Sequence, residues 1–218
     1  MDARRVVVPQ MCNRSGEALL SYARDLANLL NAELKTLPGA GKRDLRAFDF
    51  NPTDILVVPW PVRDDVTTLI PFDESGLLIR GLEKKVLIPL SGDESGLYAA
   101  REVMPLLVRL GFGVVFWHST WRDLRVPSSE PRDHMLASAK VTEVQAEDIA
   151  REYDVRCESL VEAAETIEGG LVLAACLHRC PLIVMARGRS TVVGSYVDDV
   201  LEGSHIPVMI MGREGEVY

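Results

Sequence analysis

The chain has 218 residues, 47% of them hydrophobic and 26% charged, which is enough to fill one large core or two small ones. Its formal net charge of −8 disfavours a general nucleic-acid binder, because an acidic surface repels phosphate backbones. The apolar runs are too short for a membrane-spanning helix or a signal-peptide core, so we expect a cytoplasmic protein without membrane insertion.

An internal repeat organises the sequence. Residues 5–16 and 85–96 each open with a basic residue, three apolar residues and a proline. This pattern predicts a short buried strand that ends at a residue unable to donate a backbone hydrogen bond. At an offset of 80, three pairs of identical residues coincide: Pro9/Pro89, Ser15/Ser95 and Gly16/Gly96.

The first copy is the shorter one. Apolar spacing predicts a helix through residues 22–30, followed by a strand at 33–37. Residues 38–53 replace the middle helices, and the apolar run 55–58 predicts the next strand. A last strand at 77–80 is expected to close this copy.

The second copy is longer, so we assign residues 1–81 to a truncated repeat and residues 82–218 to a fuller domain. Its first helix contains Pro105, which predicts a kink or a short first piece. The further elements expected are strands at 113–118, 155–161, 182–185 and 207–211 and helices at 134–152 and 164–179.

Short apolar strands that alternate with helices predict an α/β fold with an open, parallel, twisted sheet and helices on both faces. Ligands bind such sheets beyond the carboxyl ends of the strands. The closing strands at 77–80 and 207–211 are apolar, and unpaired apolar edges invite pairing. The two repeats are therefore expected to pack as a pseudo-dimer, and a homodimer of the chain is a second option.

A candidate anion site follows the strand at 182–185. Gly188 and Gly194 could let the backbone curve around a phosphate at the start of a helix, and Arg189 could add charge. The structural alternative is that Ser195, three residues before Asp198, only caps that helix.

Residues 85–212 resemble the universal stress protein family, and residues 5–81 resemble it more faintly. The resemblance rests on four segments: Val86-Leu87-Ile88-Pro89, Ile183-Val184-Met185, Gly194-Ser195 and Ile206-Pro207-Val208-Met209-Ile210. It implies a Rossmann-like fold of the adenine-nucleotide alpha-hydrolase type. In this family, the members that bind ATP carry an aspartate after the first strand and a loop of the form G-2x-G-9x-G-[ST].

The chain departs from that pattern at both ends of the implied pocket. Ser91 stands where the aspartate is expected, Ala186 replaces the first glycine, and only five residues separate Gly188 from Gly194. The resemblance thus implies weakened binding of ATP or another adenine nucleotide, without a metal. The residues expected to form this nucleotide or phosphate site are Leu90, Ser91, Gly188, Arg189, Gly194 and Ser195.

Two functions follow from this reading. The first is a stress-response protein that binds a nucleotide weakly, and the second is a ligand-free interaction module, such as an adaptor or a regulator of a transporter. A third, enzymatic reading has little support, because no catalytic motif is present and His118, at a strand end, fits a structural role more readily. The four cysteines are expected to be reduced thiols, since a zinc site near Cys176 and Cys180 would need more ligands.

Overall fold

The computed structural model describes residues 5–10, 14–51, 54–58, 67–70, 84–90, 94–119, 132–186 and 196–212. Within these ranges the chain forms nine strands and six helices. The strands are β1 (Arg5–Gln10), β2 (Glu33–Pro38), β3 (Ile55–Val57), β4 (Thr67–Ile70), β5 (Lys85–Pro89), β6 (Gly113–Ser119), β7 (Cys157–Glu162), β8 (Ile183–Ala186) and β9 (Val208–Met211). The helices are α1 (Arg14–Leu30), α2 (Lys42–Ala47), α3 (Ser95–Leu110), α4 (Arg132–Glu152), α5 (Ile167–Leu177) and α6 (Tyr196–Gly203).

The nine strands form one sheet in the order β2-β1-β3-β4-β9-β8-β5-β6-β7. Every neighbouring pair is parallel except β4 and β9, which are antiparallel. The predicted α/β class with a mostly parallel open sheet is therefore confirmed. The first four strands run in one direction and the last five run in the other.

The pairing of β4 with β9 joins these two parallel groups. Leu69 lies opposite Met209 at the centre of the pair, and both side chains are buried. The expectation that residues 77–80 take this position was wrong, although those residues themselves lie outside the described ranges. The strand was missed because its sequence, Thr-Thr-Leu-Ile, lacks a continuous apolar run, while both threonines are in fact buried.

Helices cover both faces of the sheet. On one face, α1, α3 and α4 share a single core cluster with strand residues from both parallel groups, including Val8, Ile88 and Met209. On the other face, α5 and α6 pack on the last five strands, and α2 packs on Val7 and Leu56. The core on the first face is therefore continuous beneath the antiparallel join.

The helix α3 runs unbroken through Pro105. The sequence predicted either a kink at Pro105 or a helix that ends there, and the second of these predictions is wrong. A proline inside a helix costs about 3 kcal/mol, and the buried side chains on either side of it, from Val103 to Leu107, offset that cost.

The first turn of α3 lies very close to the end of β5. A Cβ atom added to Gly96 would be 2.6 Å from the carbonyl oxygen of Pro89 and 3.0 Å from the Cα of Leu90. Both neighbours are backbone atoms, so they cannot rotate away as a flexible side chain could. Only glycine allows this helix to start against this strand.

The substitution Gly96→Ala should lower the free energy of unfolding by about 1–3 kcal/mol, because the added methyl group overpacks the contact with β5. Gly203→Ala is the matched control, since a Cβ there meets no atom within 4 Å. Alanine at that helical position should be neutral or stabilise by up to about 1 kcal/mol. Urea denaturation of both variants tests this, and equal stabilities would contradict the packing argument.

An ion pair between the partly exposed side chain of Arg5 and the buried carboxylate of Asp54 fixes the start of β1 against the residue that precedes β3. The Nε atom of Arg5 donates to the Oδ1 atom of Asp54 at 2.9 Å, and its second guanidinium contact is to Oδ2. The backbone N–H of Asn51 also donates to Oδ2, at 2.8 Å. The Asp54 side chain is fully buried, and its hydrogen bond to Arg5 raises the pKa of that guanidinium.

Arg5→Met should lower the free energy of unfolding by about 3–5 kcal/mol, because it leaves the buried carboxylate of Asp54 without a counter-charge. The double variant Arg5→Met/Asp54→Leu should recover most of that loss, since neither charge then remains buried. Denaturation of the single and double variants gives the comparison. A double variant no more stable than the single one would show that packing, rather than charge, dominates here.

Candidate functional site

The candidate site is the edge of the sheet where β5, β6 and β8 end. These strands are parallel neighbours, so their carboxyl ends meet at one edge. Ligands of open α/β sheets bind at such an edge. The three strands end at Pro89, Ser119 and Ala186, and Leu90 directly follows Pro89.

Leu90 is the one expected site residue that falls in the described ranges. Its backbone N–H donates to the carbonyl oxygen of Trp117 at 2.7 Å, and its side chain is 4% exposed. It therefore forms part of the wall behind the edge. The other five expected residues lie outside the described ranges, so their roles stay predictions: Ser91, Gly188, Arg189, Gly194 and Ser195.

Two buried polar atoms lie at the carboxyl end of β6. The Nδ1 atom of His118 and the Oγ atom of Ser119 have no hydrogen-bond partner among the residues that the structure describes. Buried polar atoms are normally paired, because an unpaired one costs about 1–3 kcal/mol. Two such atoms on neighbouring residues, at the edge where open α/β sheets generally bind ligands, make this edge the candidate site.

The neighbouring tryptophan holds this strand end in place. The Nε1 atom of Trp117 donates to the Oε2 atom of Glu162 at 2.9 Å, which ties the end of β6 to the end of β7. Trp117 packs on the α5–α6 face of the sheet, whereas Phe116 packs on the α3–α4 face. Because side chains alternate along a strand, His118 belongs to the α3–α4 face and Ser119 to the α5–α6 face.

Burial lowers the pKa of His118. This effect outweighs the hydrogen bond to the backbone of Leu90 and the negative charge of Glu143, which both raise the pKa. Glu143 is 9% exposed and accepts a hydrogen bond from Lys140 Nζ at 2.8 Å. Burial thus favours the neutral form of His118, in which one ring nitrogen donates and the other accepts. A neutral imidazole and a hydroxyl suit the polar edge of a base or a sugar better than a phosphate.

Sequence reasoning noticed His118 but missed Ser119 and Glu143. Ser119 could have been found because it directly follows His118 at the end of the apolar run of β6. Glu143 could have been found because it shares the buried stripe of α4 with Ala139, Ala146 and Ala150. A carboxylate on such a stripe is a departure from the usual helical pattern.

The cysteines of the carboxyl-terminal part do not converge. The Sγ atom of Cys176 lies 3.2 Å from the Nε2 atom of His205, while Cys180 follows the end of α5 and is buried. Among the described residues no group of three or more histidine, cysteine, aspartate or glutamate side chains could hold a metal ion. In the same ranges, no helix is long and apolar enough to cross a membrane.

Comparisons with known proteins establish the fold. No family model matches the sequence, and no curated protein matches it. A universal stress protein from Archaeoglobus fulgidus DSM 4304 matches 98% of this chain over 100% of its own, with 11% identity and a TM-score of 0.69. A hypothetical protein solved as a test case of structural genomics matches 62% of this chain over 100% of its own, with 16% identity and a TM-score of 0.53.

A universal stress protein solved in complex with cAMP matches 61% of this chain over 98% of its own, with 17% identity and a TM-score of 0.46. The conclusion on the fold rests on the first two structures, and at their identities of 11% and 16% the likeness concerns the fold alone. The chain has the fold of universal stress proteins, as the resemblance in the sequence implied.

The lowered pKa of His118 predicts a loss of stability in mild acid. When the pH falls below 6.5, the ordinary pKa of histidine, His118 is protonated in the unfolded state while it stays neutral in the folded state. The free energy of unfolding therefore decreases as the pH falls towards the folded-state pKa. His118→Gln should therefore flatten the decline in unfolding free energy between about pH 7.5 and about pH 5.5. His205→Gln, which changes an exposed histidine, is the control. Parallel declines in wild type and His118→Gln would refute this assignment.

Proposed function

We propose that this chain is a universal-stress-protein-like cytoplasmic protein with a weakened adenine-nucleotide pocket at the carboxyl edge of its last five strands. The observation that carries the proposal is the pair of buried, unpartnered polar atoms on His118 and Ser119 beside Leu90. They lie where the fold offers a ligand site. The protein acts by binding and signalling rather than by catalysis, and it needs no metal.

The expected weakness has an energetic basis. Ser91 in place of a carboxylate loses a charged hydrogen-bond acceptor, which costs about 1.5–3 kcal/mol, or roughly tenfold to a hundredfold in affinity. Ala186 in place of glycine and the short interval between Gly188 and Gly194 remove backbone N–H donors from the phosphate end. A triphosphate therefore loses more affinity than a monophosphate.

We also propose that the two parallel groups of strands are copies of one unit, with residues 1–81 as the truncated copy and residues 82–218 as the fuller one. Two observations support this. β1 lies between β2 and β3 just as β5 lies between β6 and β8, and β4 pairs with β9 where two equivalent closing strands would meet. Between β2 and β3 the first copy has the six-residue helix α2, where the second copy has the longer helices α4 and α5.

The second candidate function is a ligand-free interaction module. It is favoured by an apolar surface on α5, where Leu173 is 59% exposed and Leu177, one turn further, is 66% exposed. Two large apolar side chains on one exposed helix face suit a protein partner. In this reading the carboxyl edge is a remnant and α5 carries the function.

Titration calorimetry with ATP, AMP and inorganic phosphate separates the two candidates. We expect micromolar or weaker binding of nucleotides, which Gly194→Val abolishes by blocking the close approach of the phosphate. Gly203→Val, which lies at an open helical position, is the control. His118→Leu should weaken the binding of AMP and leave the binding of phosphate unchanged, because a neutral imidazole suits the polar edge of a base or a sugar better than a phosphate.

Two outcomes would change this assignment. Submicromolar ATP binding that survives Gly194→Val would place the site elsewhere. Titrations without heat for any of the three ligands would favour the interaction module.

A further inference from the structure

A thiol and an imidazole meet at the surface of the protein, where α5 and α6 end. The Sγ atom of Cys176, in the last turn of α5, lies 3.2 Å from the Nε2 atom of His205, two residues beyond the end of α6. Both side chains are exposed. A cysteine within hydrogen-bond distance of a histidine is the arrangement in which a base activates a nucleophile.

This pair lies at the end of the sheet opposite to the proposed nucleotide site. α5 connects β7 to β8 and α6 connects β8 to β9, and all three strands are parallel. Each helix therefore starts at the carboxyl edge and ends towards the amino edge, and the eleven residues of α5 span about 16 Å. The chemistry of the pair is thus independent of a ligand beside His118.

The backbone around His205 is held on both sides. The buried Ser204 accepts the N–H of Ile206 at 3.0 Å, and its Oγ atom donates to the carbonyl oxygen of the same residue at 2.8 Å. The N–H of Ser204 donates to the carbonyl oxygen of Val200 in α6 at 2.7 Å. Because this turn is fixed to α6, and α6 packs with α5 in one core cluster, little freedom is lost when the imidazole stays beside the thiol.

The cysteines of the described ranges differ in access and in partners. Cys180 is 2% exposed, so a reagent reaches it only when the fold opens. Cys157 is exposed on the edge strand β7, but burial of part of its side chain raises its pKa. In this part of the chain, Cys176 alone combines an exposed thiol with an imidazole at hydrogen-bond distance. Cys12 lies outside the described residues.

We infer that Cys176 is a site of thiol–disulfide exchange with low-molecular-weight disulfides, and that His205 is its base. The thiol proton passes to Nε2 of His205, and the sulfur of Cys176 attacks one sulfur of the disulfide. A bond forms between these two sulfurs while the original disulfide bond breaks. The departing thiolate then takes the proton from His205. The sulfur of Cys176 is oxidised, the departing sulfur is reduced, and a mixed disulfide remains on the protein.

The competing explanation is that the contact only fastens the turn after α6 to the end of α5. In that case His205 would hold the two segments together without taking part in proton transfer. The two explanations differ in what they predict for the rate at which Cys176 reacts.

The experiment treats the full chain with glutathione disulfide at about pH 7 and measures the mixed disulfide at each cysteine by peptide mass spectrometry. Cys176 should react about tenfold or more faster than Cys157, because a base beside the nucleophile raises the rate. Cys180 should stay unmodified, and it therefore reports whether the end of α5 remains closed in each variant.

Two histidine variants identify the base. His205→Gln should slow the reaction of Cys176 by about tenfold or more and leave that of Cys157 unchanged. The matched control is His178→Gln, which removes an imidazole at the end of the same helix that contacts Glu158, and it should react like the wild type. At about pH 10, where ordinary thiols are ionised without a base, wild type and His205→Gln should react at similar rates.

Four results would overturn the inference. Equal rates for Cys176 and Cys157 in the wild type would show that the thiol is not activated. An unchanged rate in His205→Gln at about pH 7 would leave the contact as packing. Equal slowing in His205→Gln and His178→Gln would show a general effect of histidine removal. Slowing that persists at about pH 10, or modification of Cys180 in His205→Gln, would show a structural role.

Discussion

The antiparallel contact between β4 and β9 is the constraint on which the rest of this architecture depends. A parallel sheet has apolar strands that must be covered at both faces and at its edges. Without this contact each of the two parallel groups would end in a strand with an unpaired edge. β4 and β9 instead pair with each other, for example at Leu69 and Met209. The shared core beneath α1, α3 and α4 then makes the two groups one packed body.

The burial of strands on both faces explains which strands could be predicted from the sequence. β1, β5, β6 and β8 were predictable because each contains three or more consecutive apolar residues, which is typical of strands buried on both faces. β4 was not, because its two threonines resemble loop residues until the burial is known. The glycine-bearing loop is visible in the sequence as a motif, and its role stays a prediction because it lies outside the described residues. The unpartnered atoms of His118 and Ser119 depend on what packs around a strand end, and local spacing does not encode that.

The two edges of the carboxyl-terminal strand group differ in chemistry. At the carboxyl edge, burial favours the neutral form of His118 and Ser119 offers a hydroxyl, so this end suits a polar and weakly charged part of a ligand. At the amino edge, Lys84, Lys85 and Arg156 concentrate positive charge on an otherwise acidic protein.

The opposed directions of the two strand groups also bear on how such a chain can change over generations. The carboxyl ends of β1 and β3 lie at the edge opposite to the carboxyl ends of β5 and β8. Insertions or deletions after β1 or β3 therefore remove no atom from the edge that carries His118. Selection can act on one half of the molecule while the other half shortens, as long as Leu69 still meets Met209.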